Sequence, residues 1–326
     1  MHMAREIDEI PMAAARLATP EMRARLGAVA DRLRAAEPAA LLTVARGSSD
    51  HAATYLKYAA ELTLGLPVAS IGPSVASVYG ARLRAEGMAV LAISQSGTSR
   101  DLMALTEVLG AAGGVTVTLT NTPTSGLASV ADEVIDVMAG PERAVAATKS
   151  YVNSIIAGLW LIGLWARDAR LCRALEHLPE AFAATREAAP LFAGLETANR
   201  AMIIARGAAL GVAAEIALKL LETCGIHASA YSGAEVLHGP SAILSGGFPV
   251  IALTSGAGAG MDQAVHQLSH QGADLRVMTA AEGTGHPLVD PLLDLPALYR
   301  ALEQLSRARQ MSPDAPPFLR KETSTL

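Results

Sequence analysis

A chain of 326 residues that is 51% hydrophobic but only 4% aromatic can fill two cores, packed mainly with Ala, Leu and Val. Its formal net charge of −5 leaves no basic footprint for nucleic acid. No apolar run reaches membrane-spanning length, no signal peptide is visible, and Cys172 and Cys224 are too isolated for a disulfide framework or zinc pattern. The expectation is a soluble cytoplasmic protein with no nucleic-acid partner, no membrane association and no cofactor.

Residues 1–30 read as a helical segment. Leu41-Leu42-Thr43-Val44, Ala89-Val90-Leu91-Ala92-Ile93 and Val115-Thr116-Val117-Thr118-Leu119 are then apolar runs of strand length, with helical segments between them. Apolar strands alternating with helices indicate an α/β fold with mostly parallel sheets covered on both faces. The second run stops at Ser94-Gln95-Ser96-Gly97-Thr98-Ser99, and Asp101-Leu102-Met103-Ala104-Leu105 begins a helical pattern. Hydroxyls, a glycine that admits close backbone approach and a helix N-terminus suit a bound phosphate. Ser and Thr are also ordinary N-cap residues, so the loop by itself leaves both readings open. The apolar stretch from Ile155 to Trp165 reads as a buried or dimer-facing helix, and residues 168–195 as a charged, Ala-rich linker helix.

Met202-Ile203-Ile204, Pro249-Val250-Ile251-Ala252-Leu253 and Leu275-Arg276-Val277-Met278 repeat the strand rhythm. The chain in fact matches itself at a shift of 160 residues: Ala45-Arg46-Gly47 recurs as Ala205-Arg206-Gly207, Gly65 as Gly225 and Val117 as Val277. Two copies of one supersecondary plan follow. The expected organisation is a first domain over 31–167, the linker, a second domain over 196–307 and a polar tail over 308–326. The copies diverge in chemistry, because most hydroxyls of the 94–99 loop are absent from Thr254-Ser255-Gly256-Ala257-Gly258-Ala259.

Lys219 and Glu222 stand three apart and share one helical face among apolar neighbours. They are either a solvated ion pair or a carboxylate tuned for proton transfer. His238 precedes Gly239-Pro240, which places an imidazole on a loop. His266 and His270 are four apart as metal ligands can be, but no third ligand is evident and no metal is expected. A carboxylate, a histidine and a lysine together suit the opening of a sugar ring and the transfer of a proton between adjacent carbons.

Six motifs in order carry a resemblance that runs nearly end to end. They are Arg46-Gly47-Ser48-Ser49, Ser94-Gln95-Ser96-Gly97, Ala139-Gly140-Pro141-Glu142 with Val145-Ala146-Ala147-Thr148-Lys149, Leu218-Lys219 with Glu222, Glu235 with His238-Gly239-Pro240, and Leu319-Arg320-Lys321. With these the chain resembles the sugar isomerase (SIS) domain proteins, in particular the double-SIS isomerase half of glucosamine-6-phosphate synthase. The resemblance implies two tandem flavodoxin-like SIS domains and a homodimer. It implies that Ser48, Ser49, Ser94, Gln95, Ser96 and Ser99 hold the phosphate of a sugar 6-phosphate. Val145 and Ala147 match sugar-contacting backbone positions, although the synthases usually carry serine where Ala147 stands. Glu222 matches the base that moves a proton between C1 and C2, with Lys219 close to it. His238 matches a ring-opening histidine that reaches the neighbouring subunit's site, and Lys321 a tail lysine that forms an imine with the open-chain ketose.

The synthases begin with a glutamine-hydrolysing domain whose nucleophile is an N-terminal cysteine. Residues 1–326 carry no such domain and no cysteine before Cys172. The expectation is therefore closest to the stand-alone SIS-type deaminases, which convert glucosamine 6-phosphate to fructose 6-phosphate and ammonia. Galactosamine 6-phosphate or a glycated-amine 6-phosphate is the alternative substrate. A non-catalytic sugar-phosphate sensor is the alternative class, but it has no use for Glu222, His238 and Lys321 together.

Overall fold

Glycine and proline divide this chain into short apolar strands and longer helices, and the computed structural model describes residues 1–184, 186–256, 260–279 and 283–321 of the result. The chain divides into two units. One comprises Ile10–Glu142, Lys149–Glu176 and Lys321; the other comprises Met1–Glu9, Arg143–Thr148 and His177–Arg320. The first helix, α1 (His2–Asp8), belongs to the second of these.

The first unit contains α2 (Ile10–Leu17), α3 (Pro20–Ala36), β1 (Ala40–Val44), α4 (Ser48–Leu64), β2 (Val68–Ser70) and the short α5 (Ser74–Ser77). It continues with β3 (Met88–Ser94), α6 (Arg100–Ala111), β4 (Val115–Thr120), the short α7 (Gly126–Ser129), β5 (Glu133–Asp136) and α8 (Lys149–Ala166). Local rules set the helix ends. Thr19 Oγ1 accepts the Met22 N–H, Pro20 occupies the first turn, and Met22, Leu26, Val29, Ala30 and Leu33 form one buried stripe on α3. The five strands pair in parallel in the order β2-β1-β3-β4-β5. Leu42, Val44, Val90 and Ala92 pack on one face with Leu102, Leu105 and Leu109 of α6. Leu41, Leu91 and Val117 face Leu161, Ile162 and Trp165 of α8 across a small apolar cavity. Strands buried on both faces explain why the runs are continuously apolar rather than alternating.

A linking helix, α9 (Ala169–Ala181), and the short α10 (Ala189–Phe192) lead to β6 (Arg200–Ala205), α11 (Ala209–Cys224) and β7 (His227–Ser232). Two 3₁₀ turns, Glu235–His238 and Pro240–Ile243, precede β8 (Pro249–Leu253), α12 (Met261–His270), β9 (Asp274–Met278) and α13 (Leu295–Ala308). The sheet is again parallel, in the order β7-β6-β8-β9. The shift of 160 residues carries β1 onto β6, α4 onto α11, β2 onto β7, β3 onto β8, α6 onto α12 and β4 onto β9. Gly65 and Gly225 end α4 and α11 in the same left-handed conformation, at φ 69° and 62°. The internal repeat is thus a repeat of folding units, each a flavodoxin-like sheet between helices.

The apolar stretch from Ile155 to Trp165 lies in α8, where it is almost wholly buried against α2, α3 and α4 of its own unit. Gly158 lets Leu56 of α4 pack directly on the backbone of α8, since a Cβ there would stand 2.3 Å from Leu56 Cδ1. Gly158→Ala should therefore destabilise the fold in urea, as overpacking of this kind costs about 1–3 kcal/mol. In a Leu56→Ala background the penalty should shrink or reverse. Additive losses would show that the two helices do not meet at this glycine.

Candidate active site

In the five-stranded unit the chain runs from β1 outward to β2, then returns to the other side of β1 to form β3. At such a reversal the loops after the two neighbouring strands open side by side at their carboxyl ends, where open α/β sheets bind ligands. Those loops are Ala45-Arg46-Gly47, leading into Ser48 and Ser49 at the start of α4, and the 94–99 loop leading into α6. Buried Ser94 accepts the Gly97 N–H through Oγ at 3.1 Å and so shapes the turn. Ser96 Oγ bonds Thr98 Oγ1 at 2.8 Å, and the Gln95 carbonyl accepts the Asn121 N–H at 3.1 Å. Gly97 stands at φ 66°, and a Cβ there would lie 2.0 Å from Ser125 Oγ, so only glycine fits.

Ser99 occupies the N-cap of α6 but makes no side-chain cap bond, and α4 is capped by Gly47, which has no side chain to offer. An ordinary cap loop would use the Ser99 hydroxyl on its helix. Here neither N-cap residue places a side-chain acceptor on its helix, and the positive ends of both helix dipoles open at these loops, an arrangement that suits an anion. Arg46 is held beside them by an ion pair with buried Asp101, whose other oxygen accepts the Leu102 N–H at 2.9 Å.

The four-stranded unit holds Lys219 and Glu222 on α11. Lys219 is 1% exposed, with Nζ 2.7 Å from Glu222 Oε2 and 3.3 Å from Oε1 of fully buried Glu215. Tyr299 donates its hydroxyl to Glu215 at 3.2 Å. Burial pulls the Lys219 ammonium toward neutrality, but Glu215 and Glu222 outweigh it and raise its pKa, so the lysine stays charged. Glu222 keeps 22% of its side chain exposed. The pair is therefore neither a solvated surface bridge nor a closed core pair: the cation is buried and one carboxylate is open.

The same unit carries Val145 and Ala147, both half-buried, and His238, exposed at the end of the Glu235–His238 turn. Lys321 falls in the five-stranded unit, where Nζ lies 3.0 Å from Oε2 of buried Glu142. Ser150 donates its hydroxyl to that oxygen at 2.5 Å and its N–H to Oε1 at 3.1 Å. The sequence singled out neither Glu215 nor the role of Glu142 as a counter-charge. Glu215 lies four residues before Lys219 on the same helix, a spacing that could have revealed it. Glu142 is 179 residues from Lys321, and no local pattern pairs them.

His266 and His270 do share a helix face, with their Nε2 atoms 3.2 Å apart, but no group of three or more potential metal ligands occurs among the described residues. Burial pushes the Cys224 thiol up to about 11, which makes it a poor nucleophile. Among the described residues no helix is long and apolar enough to cross a membrane.

Removing the Lys219 charge should be costly wherever its function lies, because it leaves Glu215 buried without its cation. Lys219→Met is expected to lose about 3–5 kcal/mol in chemical denaturation, and Lys219→Met with Glu215→Leu to recover much of it. Equal stability of the single and double variants would contradict a coupled buried pair.

Comparison with known proteins fits this geometry. The family model of the SIS domain matches residues 36–163 and 194–285. The isomerizing glutamine–fructose-6-phosphate aminotransferase of Symbiobacterium thermophilum is 35% identical over 278 residues, which cover 78% of this chain and 44% of that protein. The chain spans about half the length of the curated relatives it matches. A crystal structure from Silicibacter pomeroyi DSS-3, provisionally assigned as a phosphosugar isomerase, is 44% identical with a TM-score of 0.89, covering 96% of this chain and 99% of that one. Glucosamine-6-phosphate deaminase from Thermotoga maritima is 21% identical with a TM-score of 0.79 over 100% of both chains, a likeness of fold.

Proposed function

Because the chain belongs to the SIS domain family, we propose that it is an amino-sugar phosphate deaminase–isomerase, converting glucosamine 6-phosphate to fructose 6-phosphate and ammonia. One observation carries the reading: Glu222 is open on one side while its Oε2 is held 2.7 Å from a buried, charged lysine. A general base needs that combination of fixed geometry and access. The Thermotoga deaminase and the Symbiobacterium aminotransferase, whose names place amino-sugar and ketose 6-phosphates at this fold, support the substrate class.

The phosphate is assigned to Ser48, Ser49, Ser94, Gln95, Ser96, Ser99 and the two helix starts beside them. Binding this non-reacting group orients the sugar. His238 assists ring opening. Glu222 takes the proton from C2, giving an enolamine, and returns it to C1, giving a 2-imine. Water adds to that carbon and ammonia leaves. Lys321 is assigned to an imine with the open-chain ketose, which requires it to leave Glu142 and lose a proton first. Lys219 keeps Glu222 in place throughout.

His238 is exposed on its own chain, which supports the reading that it serves the site of a second subunit in a homodimer. Mixed dimers of Glu222→Gln and His238→Ala chains should then regain activity that neither variant has alone. A heterodimer of proven composition with no activity would place both groups within one chain. The same chemistry on galactosamine 6-phosphate or a glycated-amine 6-phosphate is a second reading. Ala147 favours it, because this residue offers no hydroxyl where the synthases usually have serine.

Ammonia release from glucosamine 6-phosphate and galactosamine 6-phosphate, assayed side by side, tests the substrate. We expect the first to be preferred; no ammonia from either would remove the deaminase reading. For the mechanism, Glu222→Gln should still bind sugar phosphate while kcat falls by roughly 10²–10⁴-fold. In D₂O the wild-type chain should exchange hydrogen at C1 or C2 and the variant should not. Near-normal turnover by Glu222→Gln would sink the proposed proton transfer.

A further inference from the structure

Residues 143–148 form no helix or strand, yet their N–H groups are met by the Glu6 carboxylate and the Asp314 backbone, both far away in the sequence. Glu6, on α1 and 4% exposed, accepts the Arg143 N–H at 2.5 Å through Oε1 and the Ala144 N–H at 3.3 Å through Oε2. The next N–H, of Val145, is accepted by the backbone carbonyl of Asp314 at 3.1 Å. The Asp314 side chain in turn caps α1, accepting the His2 and Met3 N–H groups at 2.8 Å each. Three consecutive donors of the segment are thereby satisfied, and the helix that carries Glu6 is fixed by the same residue that takes the third.

Burial alternates along the segment: Ala144, Ala146 and Thr148 are buried, while Val145 and Ala147 are half-open. With the Arg143, Ala144 and Val145 N–H groups fixed in this bent segment, Val145 and Ala147 are the two residues of 144–148 left partly open. A carboxylate is the acceptor best suited to this task, because charge-assisted bonds to N–H are about twice as strong as neutral ones. A glutamine at position 6 would keep one acceptor oxygen and turn a donor toward the remaining N–H.

We propose that Glu6 and Asp314 are positioning residues that shape the 143–148 segment to receive the sugar portion of the substrate. This rests on the reading of Val145 and Ala147 as sugar-contacting positions. Neither carboxylate belongs to the 48–49 or 94–99 loops, so sugar recognition should fail separately from phosphate recognition.

Calorimetric titration of the full chain with fructose 6-phosphate and with inorganic phosphate separates the two. Glu6→Ala should weaken fructose 6-phosphate binding roughly tenfold or more, and Glu6→Gln by less, while inorganic phosphate binds as in wild type. Asp314→Asn, which keeps the backbone carbonyl and the shape of the cap, is the second variant and should move affinity in the same direction if Glu6→Ala does not fold. Unchanged sugar-phosphate affinity in the folded variants, or a parallel loss of phosphate affinity, would overturn the positioning role. A wild-type chain that holds fructose 6-phosphate no better than inorganic phosphate would overturn the parent reading and this inference with it.

Discussion

Parallel strands cannot be joined by a tight turn, so every neighbour in these sheets is reached through a helical crossover. In both units the first strand is internal and the chain returns past it, so β1 lies beside β3 and β6 beside β8. That winding brings loops far apart in sequence, those after Val44 and after Ser94, to one edge and aims helix starts at the same place. The meeting of the 45–47 and 94–99 loops in the five-stranded unit depends on it. Gly97 and the starts of α4 and α6, whose N-cap residues place no side-chain acceptor on the helix, meet only because the topology puts them together.

Charge is handled differently in the two units. On α11 a buried ammonium is flanked by two carboxylates, one closed and one open, so one cation both satisfies Glu215 and steadies Glu222. A buried charge with a single partner would face a large desolvation cost, and the second carboxylate with its Tyr299 hydrogen bond offsets it. In the five-stranded unit, Glu142 is satisfied by both donors of Ser150 as well as by Lys321. Its two oxygens therefore keep hydrogen-bond donors besides the lysine.

Two irregular regions are tied by residues distant in sequence. An ion pair ties Arg46, in the loop after β1, to Asp101 at the start of α6, and Glu6 and Asp314 hold residues 143–145. A loop without helix or strand has no internal partners for its N–H groups, so they must be met from outside or by water.

Much of this was legible in the sequence, because its signals are local or periodic. Apolar runs bounded by Gly and Ser marked the strands, the shift of 160 residues declared two copies of one plan, and the loss of hydroxyls from the second copy distinguished the copies. The i, i+3 spacing placed Lys219 and Glu222 on one helix face. Other features had no sequence signal. Whether the Ile155–Trp165 stretch faces a core or a partner depends on which helices cover it, and α2, α3 and α4 do. Ser99 could have been an ordinary cap until the geometry left its hydroxyl off the helix. The pairings Lys321–Glu142 and Asp314–α1 join residues 179 and 312 positions apart. Periodicity reports how one element repeats along itself. Which distant carboxylate meets which donor is decided only when the crossovers have brought the chain back on itself.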